Sequence, residues 1–507
     1  MKLCTAAQMR EIDRYVIEDV GVPGAVLMAN AAEHIAIAAV ERLSPGGRAA
    51  VFCGTGNNGG DGIGAAALLM GKGVDVRVFA VGDTGRLTPD SAEMLARLTA
   101  LGGRLEIFAE AVDIERYLDG CDVIIDAMFG IGLNSDLRGD ALAATAMINA
   151  SSAFVIAADI PSGVGADTGA ILGDAVYADL TVTFSMAKPG HFLEPGCIRR
   201  GELRIRDIGV PREIIEYAQS DIFAVMPDEM TLPRRRRDSH KGDYGRCLIA
   251  AGSIGYTGAP ALCARAASKM GAGLVFLGVP DSIYNILAAK CDEEMPFPLP
   301  DDSHGRLSAN GASELLRRAA DCDAVLVGPG LGKSAGITEL VTSVMRIITT
   351  PMVIDADGLN AISANPYILD TASCPLVLTP HPGEFSRLSG LPVSGDRLRS
   401  ATEFARSHGC VLVLKGHRTI TALPDGTAYI NTTGGPAMAK GGSGDVLAGM
   451  IAALVSQRLP LKDAVVAAVY LHGLAGDMCA EKYGEYSVTA SDIIAMLPYA
   501  VLKVQDR

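Results

Sequence analysis

The sequence predicts an α/β protein of two successive domains, each a three-layer αβα sandwich around a parallel sheet. Three observations carry that expectation. Short apolar runs bounded by turn residues alternate with amphipathic stretches through both halves, the pattern of strands joined by crossover helices. The chain has 507 residues, 49% hydrophobic and 20% charged, enough to bury more than one core. The strand–helix rhythm breaks between about residues 215 and 240, in the charged, proline-containing stretch MPDEMTLPRRRRDSHKGDYG. A first domain is therefore expected over residues 1–218, a linker over 219–239 and a second domain over 240–507.

In chain order, strands of the first half are expected at residues 49–53, 76–81, 123–126, 154–159 and 180–184. A helix beginning near Asp61 follows the first strand and is ended by Gly71 and Gly73. Strands of the second half are expected at residues 247–251, 274–279, 324–327, 352–354, 376–378 and 411–414.

Lys and Arg total 44 against 58 Asp and Glu, a formal charge of −14, which argues against nucleic acid or an anionic membrane surface as partner. The apolar stretches fall short of the roughly 18–20 residues of a membrane span, and the opening MKLCTAAQMREIDR is too charged for a secretory leader. Eleven scattered cysteines without a CxxC pair read as reduced thiols. A cytoplasmic protein is expected, and helical faces rich in Ala and Leu favour a homo-oligomer. The run from Arg234 to Arg237 reads as solvated linker.

The most informative segment of the first half is VFCGTGNNGGDGIG, residues 51–64. A strand leads into glycines and asparagines, then into a helix, so backbone amides and the helix N-terminus can meet an anion. Gly54, Gly56 and Gly59 match GxGxxG spacing, in itself a weak signal. Asp83, the one nearby candidate for a ribose-binding acid, falls in a turn, whereas Asn57, Asn58 and Asp61 add polar side chains that a plain dinucleotide loop does not need. Two further strand ends carry Asp126, before Gly130 and Gly132, and Asp159, before Pro161 and Ser162. Three such ends can converge on one crevice of a parallel sheet. An amide, a carboxylate and a hydroxyl or carbonyl oxygen together suit a hard cation.

The motifs GTGNNGGDG, DAMFGIGL and DIPSG, in that order within about 110 residues, resemble the YjeF N-terminal family, the NAD(P)H-hydrate epimerases, as do AAQMREIDR and GAVLMANAAE before them. The resemblance implies a Rossmann-like domain that interconverts R and S hydrates of NADH and NADPH. It implies a potassium ion held by Asn58, Asp126 and Ser162. It also implies hydrate contacts from Asn57, Asn58, Gly59, Gly60 and Asp61, from Gly130, Ile131, Gly132, Leu133, Asn134, Ser135 and Asp136, and from Asp159. Epimerisation at the hydroxyl-bearing ring carbon needs reversible C–O cleavage and a carboxylate for proton traffic; Asp159 is the expected group.

In the second half, GGPAMAKGGSGDVLAGMIAAL, residues 434–454, runs a glycine-rich loop into an apolar helix with Asp445 in its first turn. That arrangement makes an anion hole and sets a carboxylate beside a phosphoryl transfer. Lys415 and Thr419 follow a strand, as do HPGE (381–384) and VGPGLG (327–332). His381 alone would read as a structural histidine, and Asp355 and Asp357 could pair on a metal or cap a turn. GSGD at 442–445 resembles the ribokinase-like superfamily. HKGDYGRCLIAAGS, VGPGLG, DADGLN, TPHPGE, LKG and GGSGDVLAG narrow this to a similarity with the YjeF C-terminal family, the NAD(P)H-hydrate dehydratases. Ser443 stands where that family more often has Thr.

The resemblance implies a ribokinase-like αβα domain that uses magnesium and takes ADP as co-substrate. Gly330, His381, Pro382, Gly383, Glu384, Phe385, Ser386, Arg387 and Asp445 would face the hydrate. Lys415, Gly416, His417, Arg418, Thr419, Gly435, Lys440, Gly441, Gly442, Ser443 and Gly444 would face the nucleotide. Asp445 would be the base that lets the hydrate hydroxyl attack ADP, after which the phosphate ester eliminates. The loop cradles phosphates without counting them, so the residues alone leave ADP and ATP open. Two other readings stay open: a small-molecule kinase fused to a nucleotide-binding domain, and a nucleotide-sensing scaffold.

Overall fold

The computed structural model describes residues 1–392 and 395–505. The chain forms two compact units, one over Lys2–Ile222 and the other from Phe223 onward with Met1. The first unit holds seven strands: β1 (Arg48–Cys53), β2 (Asp75–Ala80), β3 (Leu105–Ile107), β4 (Val123–Ala127), β5 (Phe154–Ala158), β6 (Leu180–Phe184) and β7 (Glu202–Arg206). They lie in the order β3-β2-β1-β4-β5-β6-β7, and every pairing is parallel. This Rossmann-like order reverses direction between β1 and β4, which opens a crevice at their carboxyl ends.

Alternating residues of β1 serve opposite faces of the sheet, as the two-residue period of a strand requires. Ala49, Val51 and Cys53 enter a core shared with the helices Gly24–Val40, Asn57–Gly71 and Pro89–Ala100. Ala50 and Phe52 enter a second core with the helix Gly139–Ala150.

The second unit is organised around ten strands: β8 (Ile222–Val225), β9 (Arg246–Ala250), β10 (Leu274–Pro280), β11 (Met295–Leu299), β12 (Ala324–Val327), β13 (Met352–Ile354), β14 (Leu376–Leu378), β15 (Val411–Leu414), β16 (Ile420–Ala422) and β17 (Ala428–Asn431). Their order is β11-β10-β9-β12-β13-β14-β15-β16-β17-β8. Pairing is parallel from β11 to β15 and antiparallel across β15-β16-β17. The glycine loop's helix, Ser443–Ser456, is almost wholly buried against the helix Gly258–Lys269. Gly449 makes that approach possible, since a Cβ there would fall 2.2 Å from the Cys263 carbonyl oxygen.

Every strand expected from the sequence is present. Of the six that the sequence hid, β3, β7, β8 and β11 are edge strands, and β16 and β17 are a short antiparallel pair between β15 and β8. Central strands covered on both faces read as continuous apolar runs; marginal ones do not. β7 is ELRIR with no buried residue, and β11 carries Pro296 and Pro298, which an edge tolerates. β8 falls inside the stretch expected as linker. None of the eleven cysteines is in a disulfide, and no described helix is long and apolar enough to cross a membrane.

Candidate active sites at two strand-end crevices

The first-domain crevice is a cavity of about 600 Å³ lined by Asn57, Asn58, Asp61, Gly130, Ile131, Gly132, Leu133, Asp159 and Lys188, among others. Its floor is set by close backbone approaches. A Cβ on Gly59 would lie 1.9 Å from the Gly54 carbonyl oxygen, and one on Gly54 would lie 1.9 Å from that of Met128. The helix starts at Asn57, four residues before Asp61 where the sequence suggested, so the run from Asn57 to Asp61 occupies its first turns.

Asp159 follows β5 with φ +64°, a left-handed conformation that an aspartate tolerates better than most residues. Its Oδ1 accepts hydrogen bonds from Lys188 Nζ at 2.5 Å and from Thr183 Oγ1 at 2.9 Å. Its carbonyl oxygen lies 2.8 Å from His191 Nε2, and His191 Nδ1 accepts from the Lys188 N–H at 3.0 Å. His191 is therefore a neutral imidazole protonated on Nε2; burial pushes its pKa down to about 3. Burial alone would raise the Asp159 pKa, but the Lys188 charge and hydrogen bond outweigh it and hold Asp159 below its ordinary value. Burial acts unopposed by such a bond at Asp61, which is pushed well above the ordinary value.

Asp126 is fully buried at the end of β4. Its Oδ1 accepts from Ser162 Oγ at 2.6 Å and its Oδ2 from the Ser162 N–H at 2.8 Å. Burial raises it to about 6. Among the described residues, both amide atoms of Asn58 are buried with no hydrogen-bond partner. That is a costly state for an amide, about 1–3 kcal/mol per unsatisfied group, unless something absent from the protein fills it.

Some expected contacts are elsewhere. Asn134, Ser135 and Asp136 are exposed beyond the cavity lining. Gly59 and Gly60 serve packing rather than the lining, Gly60 lying against Met28 and Ser91. Asp83 caps a turn by accepting from the Gly85 N–H at 3.0 Å.

In the second domain, Gly442 caps the helix Ser443–Ser456 at φ +93°, a conformation glycine adopts without strain. The first-turn N–H groups then face out of the helix end. Lys415, just past β15, comes against this turn: a Cβ on Gly444 would be 3.4 Å from its Nζ. Lys415 Nζ donates to Asp355 Oδ1 at 2.7 Å and lies 4.0 Å from Glu384 Oε2. Burial would lower the Lys415 pKa, but Asp355 and Glu384 outweigh it and raise it. Asp445 is half-buried; burial and then Asp355 push it up to about 6.

Asp355 and Asp357 do not act as a pair. Asp355 holds Lys415 and Thr379 Oγ1, whereas Asp357 opens a helix and accepts from the Gly332 N–H at 2.8 Å. His381 caps the helix Pro382–Ser389, its Nδ1 accepting from the Gly383 N–H at 3.0 Å, and Glu384 completes the capping box. Pro382, Gly383 and Arg387 are exposed on that turn, Ser386 is half-buried, and Phe385 turns into the core against Phe404. Gly416, His417 and Arg418 form the tight turn between β15 and β16, where Thr419 Oγ1 donates to the Gly416 carbonyl at 2.9 Å. Gly435, Lys440 and Gly441 lie in the loop before Gly442, and Lys440 donates to the Tyr486 carbonyl. Gly330 follows β12, its carbonyl accepting from Ser253 Oγ at 2.7 Å.

Residues 24–190 match the family model described as YjeF-related protein N-terminus, and residues 247–499 match that described as NAD(P)H-hydrate dehydratase. The bifunctional NAD(P)H-hydrate repair enzyme Nnr of Moorella thermoacetica is 39% identical over 518 residues, covering 100% of this chain and 98% of the relative. The chain belongs to the bifunctional NAD(P)H-hydrate repair enzyme family. Among solved structures, a ribokinase-like superfamily protein from Enterococcus faecalis is similar with a TM-score of 0.50 at 29% identity, over 57% of this chain and 98% of that one. An ADP/ATP-dependent NAD(P)H-hydrate dehydratase from Bacillus subtilis, co-crystallized with ATP/Mg2+, gives 0.48 at 32% identity, over 54% and 95%.

In this repair-family chain the sequence reading missed Lys188, Thr183 and His191 around Asp159, and His472 beside Ser443. The signal for Lys188 was a lysine in the otherwise uncharged run FSMAKPGHF just after a strand. His472 interrupts an Ala/Val-rich helix; its Nε2 lies 3.3 Å from Ser443 Oγ, and burial pushes its pKa down to about 4.

Proposed function

We infer that the chain repairs hydrated NADH and NADPH: the first domain interconverts the R and S hydrates, and the second dehydrates the S form at the expense of ADP. The carrying observation is that each domain of this repair-family chain sets an aspartate in the field of a lysine: Asp159 in an ion pair with Lys188, and Asp445 near the Lys415 that Asp355 holds.

In the first domain, Asp159 held ionised by Lys188 is the group for proton traffic at the hydroxyl-bearing carbon. Asn58, Asp126 and Ser162 would hold potassium; the partnerless Asn58 amide and an all-oxygen donor set fit such an ion. When bound, it would supply a fixed positive charge that anchors the crevice. Asn57, Asp61, Gly130 and Leu133 would border the hydrate.

In the second domain, Asp445 takes the proton of the hydrate hydroxyl, whose oxygen then attacks the terminal phosphoryl group of ADP. The first-turn N–H groups after Gly442 and the Lys415 ammonium hold the charge that develops on the transferring group. AMP leaves as its bond to the transferred phosphoryl group breaks. The ring C–O bond to the phosphate then breaks and the neighbouring ring carbon loses a proton to solvent, so that the C=C bond of NADH or NADPH forms and inorganic phosphate departs. Among the described residues no three His, Cys, Asp or Glu side chains group as a metal cage; magnesium in phosphoryl-transfer sites is held largely by substrate phosphates. Lys415, Thr419 and the loop from Gly435 to Gly444 would meet the nucleotide. A cytoplasmic homo-oligomer completes the reading.

The test is recovery of reduced-nicotinamide absorbance from an equal mixture of R and S NADH hydrate with magnesium and potassium, given ADP, ATP or neither. Full recovery with ADP is expected. Recovery stalled at half removes the epimerase; a net phosphorylated product would move the second domain to a small-molecule kinase.

A further inference from the structure

The helix Ala6–Tyr15 lies outside the residues matched by the first-domain family model, which begin at 24. It is nevertheless fastened to the crevice. A Thr5–Gln8 capping box starts it, the Ala6 N–H donates to Asp167 Oδ1 at 2.7 Å, and the Cys4 N–H donates to the carbonyl of Ala187, the neighbour of Lys188, at 2.9 Å. Arg10 Nη2 reaches the Ile131 carbonyl at 3.1 Å. Met9, Arg10 and Asp13 then form a wall of the cavity that holds Asp61, Asp159 and Lys188.

Resting on the epimerase reading, we propose that Asp13 is a catalytic residue of the first domain, the carboxyl that exchanges a proton with the hydrate's hydroxyl while Asp159 serves the water that re-adds. In one direction Asp13 gives its proton to the hydroxyl oxygen. The ring C–O bond breaks with its electron pair, water leaves, and the lone pair of the adjacent ring nitrogen closes a C=N bond. Water adds to the other face of the carbon, the C=N electrons return to nitrogen, and the proton lost by that water passes to Asp159. The site ends with Asp13 ionised and Asp159 protonated, the state that runs the reverse reaction, and solvent exchange resets it.

Four carboxyls stand with Asp159 at this crevice, and their surroundings separate them: Asp90 sits in the first turn of the helix Pro89–Ala100 with its Oδ2 against Gly24. Asp126 has both oxygens engaged by Ser162. Asp61 is buried, and burial, Asp159 and Asp13 raise it well above the ordinary carboxylate value. Asp13 is half-buried and its carboxylate accepts no hydrogen bond among the described residues; burial and Asp159 raise it, Lys188 opposes them, and it settles at about 6. A group that cycles a proton near neutral pH works best with such a value. The other charged or titratable groups around it or lining its cavity are Cys4, Arg10, Asp61, Asp90, Asp159 and Lys188.

The test uses the full chain and separated R and S NADH hydrates, with the isomer ratio followed chromatographically without nucleotide. Asp13→Asn should lower the epimerisation kcat by about 100-fold or more with KM little changed, and dehydration of the S hydrate should be unaffected. In the unaltered protein, epimerisation kcat/KM should fall about tenfold per pH unit above about pH 6, and Asp13→Asn should abolish that dependence. A variant that keeps its kcat, or loses only KM, overturns the proposal. So does an unaltered profile that stays flat from about pH 6 to 8, a readout that needs no variant to fold. If the unaltered protein does not interconvert the isomers at all, the epimerase reading itself fails instead.

Discussion

Lys188 Nζ and Asp159 Oδ1 stand 2.5 Å apart, and Lys188 is almost completely buried. Each is the other's counter-charge in a place where an isolated ion would be expensive. Thr183 Oγ1 accepts from Lys188 and donates to Asp159, both at 2.9 Å, closing a three-member ring of hydrogen bonds. The carboxylate keeps its other oxygen on the side of Gly130, where a Cβ would be 3.3 Å from Asp159 Oδ2 and 3.2 Å from Asn58 Cγ. A charged group is thus held rigidly with one oxygen aimed at the crevice.

Lys188→Met leaves Asp159 buried without its partner. Breaking such a pair costs about 3–5 kcal/mol, so the first-domain melting transition should drop by several degrees. Epimerisation should be lost because Asp159 now takes up a proton. Thermal denaturation followed beside S-hydrate dehydration checks this; an unchanged transition would mean the pair contributes nothing to the fold.

As the proposed base, Asp445 should give the dehydration reaction a pH dependence of definite sign. Its pKa is raised to about 6, by burial first, and the base must be ionised to act. Dehydration kcat/KM should therefore be level above about pH 7 and fall about tenfold per unit below about pH 6. A rate that rises on acidification would assign Asp445 the opposite role.

Asn58→Leu removes an amide that is buried without a partner. In potassium-free buffer the variant should melt no lower than the unaltered first domain, since an unsatisfied polar group is deleted. Added potassium should raise the melting temperature of the unaltered protein and leave that of Asn58→Leu unmoved. Equal shifts in both would put the cation elsewhere.

Gly59→Ala should inactivate the first domain alone. The new methyl would fall 1.9 Å from the Gly54 carbonyl oxygen, and backbone cannot yield as a side-chain tip can, so the loop must open. Epimerisation should fall at least about 100-fold, the scale on which misplaced catalytic geometry acts, with S-hydrate dehydration intact. A fully active variant would mean that this tight turn is dispensable.

How much was legible in the sequence follows from burial and locality. Strands such as Val51 to Cys53 or Val411 to Leu414, covered on both faces, announce themselves as unbroken apolar runs. Glu202 to Arg206 and Met295 to Leu299, at sheet margins, do not. The glycine turns at Gly54–Gly59 and Gly442 were readable because tight turns need glycine wherever they occur. The Lys188–Asp159 and Lys415–Asp355 pairs join residues 29 and 60 positions apart, and no local pattern records such a meeting. His381 shows the converse: it sits in a conspicuous motif, and its imidazole caps a helix.

Two separable chemistries in one chain together clear both hydrates. The most direct measurement incubates equal R and S NADH hydrate with ADP, magnesium and potassium, using Asp159→Asn alone, Asp445→Ala alone, and the two mixed. Asp159→Asn should recover half of the absorbance, and Asp445→Ala none while still interconverting the isomers. The mixture should recover all of it. A mixture that stalls at half, or an Asp445→Ala variant that no longer interconverts the isomers, would contradict the division of labour.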